Sequence, residues 1–227
     1  MPQPRLVPVR APRRPEGVVL VLHGGAARRD RAEVSPAQLS VLRMVPVARR
    51  IARVGRAGGG RGLAVYRVLN STRGWDTGHT PVDDALWALE EVARRHGELP
   101  ACLVGHSLGG RAALLAGSAA PVVGVAALNA WIAPADHATL AGRRVLMVHG
   151  TADRVADPRR ARRLGQEVAG TAASFGWLDV QDGKHAMLRR GSVFERAAAD
   201  FAVATLLDRA VGEPVAGLLE GVASLTV

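Results

Sequence analysis

The residues with chemistry to offer gather in Gly105-His-Ser-Leu-Gly109, a G-x-S-x-G run whose serine is followed by an Ala/Leu-rich stretch. Four apolar residues without alternation, Ala101 to Val104, precede it, so the run predicts a buried parallel strand turning at once into a packed helix. Such a corner holds Ser107 in a strained backbone conformation. It also brings neighbouring segments too close for side chains at Gly105 and Gly109, and it exposes the hydroxyl. The chemistry this suits is acyl transfer, because the helix aims free N–H groups and its positive dipole end at the place where negative charge develops. Eight serines and 26 glycines in 227 residues give about 0.1 such runs by composition alone, so the context has to carry the reading.

Other segments supply that context. Val18 to Leu22 is a second unalternating apolar strand, ending in His23-Gly-Gly-Ala26. Glycines there let the backbone turn its N–H groups inward, and Gly25 is read as an oxyanion donor beside the N–H of Leu108, with Ala26 as the alternate one position on. His23, which precedes the elbow and enters a turn at once, is read as a structural histidine fixing that loop. Val145 to Val148 repeats the strand, followed by a glycine turn and Asp153, which puts a carboxylate at the carboxyl edge of the sheet. A last strand over 173–180 ends in Gln181-Asp-Gly-Lys-His185. Sites in parallel sheets lie at the carboxyl ends of the strands, where Gly25, Ser107, Asp153 and His185 all fall.

The elements that must position these groups alternate as strand and helix. A helix over 36–54, kinked or split at Pro46, leads to a strand over 63–69 and a loop over 70–80. Trp75 in that loop either lines a substrate pocket or covers the end of the sheet; with His106 it makes up the candidate pocket residues. Pro81 opens a helix capped by Thr80 and running to His96, which meets the helix dipole as a structural residue. A strand over 122–130 is followed by a crossing loop in which Asp136 and His137 are expected to be exposed. A basic helix over 158–168 and a final helix capped by Ser192 complete the pattern. This is an α/β fold: a mostly parallel sheet with helices on both faces. Residues 1–17 are an N-terminal extension or a short edge strand, 18–210 the domain proper, and 211–227 an appended segment that docks or frays.

Composition narrows the class. The chain is long enough to bury one core without disulfides, and Cys102, its only cysteine, reads as a small buried apolar residue. The net charge of +10 raises nucleic acid or a membrane surface as partner. The charge is nearly all arginine, scattered in short pairs with few aromatic residues between them, so no nucleic-acid or membrane partner is expected. Prolines interrupt the first ten residues and no run reaches the length of a membrane span, which points to the cytoplasm. The histidines show no ligand spacing for a metal, and the glycines after the first strand lack G-x-G-x-x-G, so neither metal nor cofactor is expected. The oligomeric state is not legible.

Gly105-His-Ser-Leu-Gly-Gly110, Val148-His-Gly-Thr-Ala-Asp153 and Gly183-Lys-His-Ala-Met187, in that order, resemble the α/β-hydrolase superfamily. The likeness is to its small, lidless members, similar to dienelactone hydrolases and compact serine esterases, and it runs from about Val18 to Leu207. It implies Ser107 as nucleophile, Asp153 as acid, His185 as base, and Gly25 and Leu108 as the oxyanion hole. Two departures stand out: the N-terminal strands are reduced, and the nucleophile is serine where dienelactone hydrolases use cysteine.

The chemistry of these groups fits the same roles. Imidazole titrates near neutrality and can take the serine proton, and a carboxylate fixes its tautomer. Asp157, Asp179 and Asp182 are rivals to Asp153 as the acid. Asp157 lies beyond the turn, Asp179 inside a strand, and Asp182 too near His185 in sequence to reach across. The expected activity is hydrolysis of a small soluble ester, or a thioester or amide, through an acyl-serine; the alternative is a non-catalytic binding or scaffold protein on the same fold.

Overall fold

The structure, a computed structural model, describes residues 3–25, 33–76 and 78–227. Its strands are β1 (Arg5–Arg10), β2 (Arg14–Leu22), β3 (Arg61–Leu69), β4 (Ala101–His106), β5 (Val122–Leu128), β6 (Arg144–Gly150), β7 (Ser174–Val180) and β8 (Ser224–Thr226). They form one sheet in the order β1-β3-β2-β4-β5-β6-β7-β8. Only β1 runs antiparallel to its neighbour; every other pairing is parallel.

The apolar runs divide their side chains between two cores because successive strand residues face opposite sides. Val18, Leu20, Leu22 and Leu103 point to one face, covered by α3 (Thr80–His96), α4 (Leu108–Ala116) and α5 (Pro158–Ala169). Val19, Val21, Cys102 and Val104 point to the other, covered by α2 (Met44–Val54), α6 (Gly191–Leu207) and α7 (Val215–Leu219). Phe194 and Phe201 of α6 are wholly buried there, each contributing about 1.5–3 kcal/mol by leaving water. With both faces covered, the polar edge where the strands end is left for a site.

Several boundaries differ from the sequence reading. β2 begins at Arg14, because its first residues pair with Arg61 and Gly62 before the apolar run starts. The helix expected over 36–54 is broken at Arg43 into α1 (Leu39–Leu42) and α2, and Pro46 falls in the first turn of α2, where no backbone donor is needed. Thr80 is the first residue of α3 and not its cap; its N–H and hydroxyl both donate to Asp76, at 3.0 and 2.5 Å. The segment 211–227 contributes α7, packed on the α6 side, and β8, which extends the sheet beyond β7. No helix among the described residues is long and apolar enough to cross a membrane.

Candidate active site

β4 passes into α4 at Ser107, whose backbone sits at φ 56°, ψ −120°, a conformation that costs a non-glycine residue about 1–3 kcal/mol and persists only when its surroundings enforce it. Here they do. The Ser107 N–H donates to the Leu128 carbonyl at 3.0 Å, and the Ser107 carbonyl accepts from Arg111 and Trp131, each at 3.1 Å. A side chain on Gly105 would strike the Gly109 carbonyl. A Cβ on Gly109 would stand 2.5 Å from the Leu22 carbonyl oxygen and 2.6 Å from that of His23. The corner therefore closes only with glycine at both places.

Ser107, His185 and Asp153 arrive from the ends of β4, β7 and β6 and meet in one chain of hydrogen bonds. His185 Nε2 lies 3.0 Å from Ser107 Oγ, and His185 Nδ1 lies 2.8 Å from Asp153 Oδ2. The second carboxylate oxygen, Oδ1, accepts the N–H groups of Val155 at 2.8 Å and Ala156 at 3.0 Å. Burial pushes the Asp153 pKa up, but the hydrogen bonds from His185, Val155 and Ala156 outweigh it and hold the carboxyl below its ordinary range. An ionised Asp153 in this position selects the His185 tautomer with hydrogen on Nδ1, leaving Nε2 free to accept from Ser107.

Of the rival carboxylates, those of Asp157 and Asp179 are engaged elsewhere. Asp157 caps α5 by accepting the Arg159 N–H at 2.9 Å. Asp179 accepts from Trp177 Nε1 at 2.8 Å and pairs with Arg162 at 2.5 Å. Asp182 occupies a left-handed turn, and its N–H donates to Thr151.

Beside Ser107, a Cβ added to Gly24 would stand 3.1 Å from the Ser107 Cβ, so the loop after β2 runs directly past the hydroxyl. Gly25 has no room for a side chain either, because its backbone packs on the Arg73 carbonyl. Leu108 is the first residue of α4, and neither its N–H nor that of Gly25 donates to another backbone or side-chain group among the described residues. Ala26, the alternate donor, lies outside the described residues. His23 holds this loop: its Nδ1–H donates to the Gly24 carbonyl at 2.5 Å, and its Nε2 accepts the Asn70 N–H at 3.2 Å. Burial lowers the His23 pKa, which keeps the ring neutral in that role.

The structure places His106, expected as a pocket residue, against the loop that carries His185. It shares the strand face of Cys102 and Val104, is buried, and its Nε2 lies 2.8 Å from the His185 carbonyl oxygen. Burial, with the neighbouring His185 ring, pushes its pKa down to about 3, so the ring is neutral and donates through Nε2. Asn129, which the sequence reading passed over, sits just after β5 in the left-handed region at φ 44° and is fully buried. Its Nδ2 donates to the carbonyls of Lys184 at 3.1 Å and His185 at 3.2 Å, and its Oδ1 accepts the Gly150 N–H at 2.8 Å. The one sequence signal available for it is an asparagine at the carboxyl end of an apolar strand, a residue tolerant of αL and fitted to hold a loop. His149 stacks on Trp177 and places Nε2 3.3 Å from the Ala156 carbonyl oxygen and 3.7 Å from Asp153 Oδ2, adding a second imidazole beside the carboxylate.

Trp75 packs against the core on the α3 side, and the Arg111 guanidinium lies over its ring at 3.8 Å. Arg111 pairs through two hydrogen bonds, at 2.7 and 2.6 Å, with Asp136, which is buried where exposure was expected. A carboxylate is buried here because a planar guanidinium meets both its oxygens and the Ala133 N–H adds a third donor at 2.7 Å. His137 is exposed, beside Glu167. A cavity of about 630 Å³, between α3 and the amino ends of β2, β4 and β5, lies at the opposite edge of the sheet from Ser107. A second, of about 510 Å³, lies between α1, α2 and the start of α6 and touches Ala186 and Met187.

No family model matches the sequence, and no curated protein matches it. Solved structures do match the fold. An α/β serine hydrolase without lid from Xanthomonas campestris is 16% identical, with 92% of this chain and 90% of that chain covered and a TM-score of 0.65. An α/β serine hydrolase homologue from Coxiella burnetii is 14% identical over 86% of this chain and 89% of that one, at 0.63. Est1E from Butyrivibrio proteoclasticus is 13% identical over 90% and 94%, also at 0.63. At such identities the likeness is one of fold, and the chain has the α/β-hydrolase fold.

Proposed function

We propose that this chain is a serine hydrolase that cleaves a small soluble ester through an acyl-serine intermediate. The observation that carries the reading is the continuous contact from Ser107 Oγ to His185 Nε2 at 3.0 Å and from His185 Nδ1 to Asp153 at 2.8 Å, on a strained corner at the carboxyl edge of the sheet. In the reaction His185 takes the Ser107 proton as Oγ attacks the ester carbonyl carbon, and the imidazolium is stabilised by Asp153. The carbonyl oxygen takes up negative charge facing the N–H groups of Leu108 and Gly25, aided by the N-terminus of α4. His185 returns its proton to the departing alcohol, and a water activated by the same ring then hydrolyses the acyl-serine, restoring the free hydroxyl. Esters fit better than amides because an alcohol leaves with less assistance. The names of the structural neighbours, serine hydrolases among them, favour the same class of chemistry.

A fluorophosphonate tests it. Attack by Ser107 Oγ on phosphorus expels fluoride and leaves one stable phosphonyl group, which mass spectrometry should find on Ser107 and nowhere else. Ser107→Ala should lose both labelling and ester hydrolysis. A folded protein that neither labels nor hydrolyses any ester in a broad acyl panel would instead be a binding or scaffold protein on this fold.

A further inference from the structure

We infer that Asn129 and His106 are positioning residues for His185: together they clamp its main-chain carbonyl and so fix the imidazole between Ser107 and Asp153. The inference rests on the hydrolase reading for its kinetic consequences and on the geometry alone for its structural ones.

The loop over 181–187 carries His185 away from the end of β7 and turns through left-handed residues at Asp182 and Met187. A short irregular loop needs side-chain ties if the imidazole it carries is to hold a position within about half an ångström. The ties converge on one atom. The His185 carbonyl oxygen has two lone pairs, and it accepts from His106 Nε2 at 2.8 Å and from Asn129 Nδ2 at 3.2 Å. Asn129 also holds the preceding carbonyl, Lys184, at 3.1 Å.

The clamp reaches the other two members of the relay. His106 is the residue before Ser107, so the strand that delivers the hydroxyl also grips the base loop. Asn129 Oδ1 accepts the N–H of Gly150, whose carbonyl in turn accepts the Asp153 N–H at 3.1 Å in the turn that delivers the carboxylate. One buried amide therefore ties the acid turn to the base loop, and one buried imidazole ties the base loop to the nucleophile strand. Each side chain reaches His185 by a hydrogen bond to its main-chain carbonyl, and the His106 ring also packs against the His185 imidazole, with ring centroids 5.0 Å apart. His106 commits its one N–H to the His185 carbonyl and is kept neutral by burial, so it is not a second base.

The test separates positioning from plain structural support. His106→Phe keeps ring size and removes the donor; the His185 carbonyl keeps its bond from Asn129 and the unpartnered His106 Nδ1 is removed as well, so the lost hydrogen bond should lower Tm only slightly. It should lower kcat about 10- to 100-fold with KM within about twofold, the scale expected when a reacting group is displaced by a fraction of an ångström. His106→Gln, whose amide can offer an N–H at similar reach, should recover most of that loss. Asn129→Gly keeps the left-handed backbone accessible and should reduce kcat at least as far; if it does not fold, the two His106 variants decide the matter.

A readout independent of turnover is the low-field proton signal of His185 Nδ1–H, observed with labelled histidine and assigned by its loss in His185→Ala. It should shift or broaden in His106→Phe and return in His106→Gln, even if Ser107 proves unreactive to fluorophosphonate and the hydrolase reading fails. The clamp is overturned if kcat and this signal are unchanged in His106→Phe, if kcat falls only in proportion to the folded fraction, if KM alone rises, or if His106→Gln is as impaired as His106→Phe.

Discussion

Gly150 and Gly183 pack backbone against backbone, so the turn that bears Asp153 and the loop that bears His185 are interlocked. A Cβ on Gly183 would stand 3.0 Å from the Gly150 Cα, and a Cβ on Gly150 would run into the Gly183 carbonyl. That carbonyl already accepts the Ala152 N–H at 3.0 Å. The distance between acid and base is thus set by main chain as well as by the imidazole–carboxylate contact itself.

Gly150→Ala should therefore act on both stability and turnover. Forcing a methyl group into a filled contact costs about 1–3 kcal/mol, and relief requires one of the two loops to move. We expect a lower denaturant midpoint, together with a fall in the kcat of the remaining folded protein. Full stability with full turnover would mean that the two loops adjust independently and that the interlock sets nothing.

Asp153→Asn should reduce kcat by about four orders of magnitude while leaving the fold intact, because an amide presents a donor to His185 Nδ1 and supports the wrong tautomer. Asp157→Asn is the control: asparagine caps a helix as well as aspartate, so α5 should persist and turnover should be unchanged. Loss of activity in Asp157→Asn with retention in Asp153→Asn would move the acid.

Asp84 predicts a pH dependence of stability. Burial raises its pKa to about 6, against the opposing hydrogen bonds from the Ser71 N–H at 2.8 Å and hydroxyl at 3.0 Å. A carboxyl whose folded pKa lies above its unfolded value of 3.8 contributes stability that is fully present below the unfolded pKa and is lost as pH rises through the folded one. Between pH 4 and pH 6, wild type should therefore lose stability relative to Asp84→Asn, which cannot ionise. Asp153, with a lowered pKa, has the opposite sign: its contribution is present above its unfolded pKa and is lost as pH falls through the folded value. Taking the difference between wild type and Asp84→Asn removes that contribution. Urea melts of the two proteins across this range check it, and parallel curves would refute the assignment.

What was legible in the sequence was local. Unalternating apolar runs gave the parallel strands, and Gly105 and Gly109 gave the corner, because the steric demand falls on residues adjacent in the chain. The positions of Asp153 and His185 followed from glycine turns after strands. Asp136 was misread because its burial depends on Arg111, which approaches it across the fold with both guanidinium donors. His106 reads from the sequence as a pocket residue; strand alternation turns its ring to the face where the base loop lies, and the bond to the His185 carbonyl comes from a segment distant in sequence. What Asn129 holds is not legible from its place at the end of a strand, since its partners at Gly150, Lys184 and His185 belong to two other segments. Nor could the role of 211–227 be read: β8 has three residues, and its edge pairing with β7 leaves no periodicity to detect.

The last prediction concerns the acyl chain. The loop after β2 passes against the Ser107 side chain, and the residue beyond the loop's first glycine packs on the Arg73 carbonyl, so this approach to the hydroxyl is walled by main chain. The cavities of about 630 and 510 Å³ have no wall from Ser107; one opens at the far edge of the sheet and the other behind Ala186 and Met187. Among the described residues, then, a long acyl chain finds no cavity walled by Ser107 to enter, and each methylene left in water forgoes about 0.8 kcal/mol of binding. Activity on p-nitrophenyl esters should accordingly peak at short acyl chains and saturate in the ordinary way, with no jump where the ester begins to aggregate. A kcat/KM that climbs steadily with chain length would contradict this. It would place the chain in the groove of about 510 Å³, where Leu39, Leu42 and Leu188 stand exposed at the rim, and replacing Leu42 or Leu188 with a charged residue should then abolish the climb.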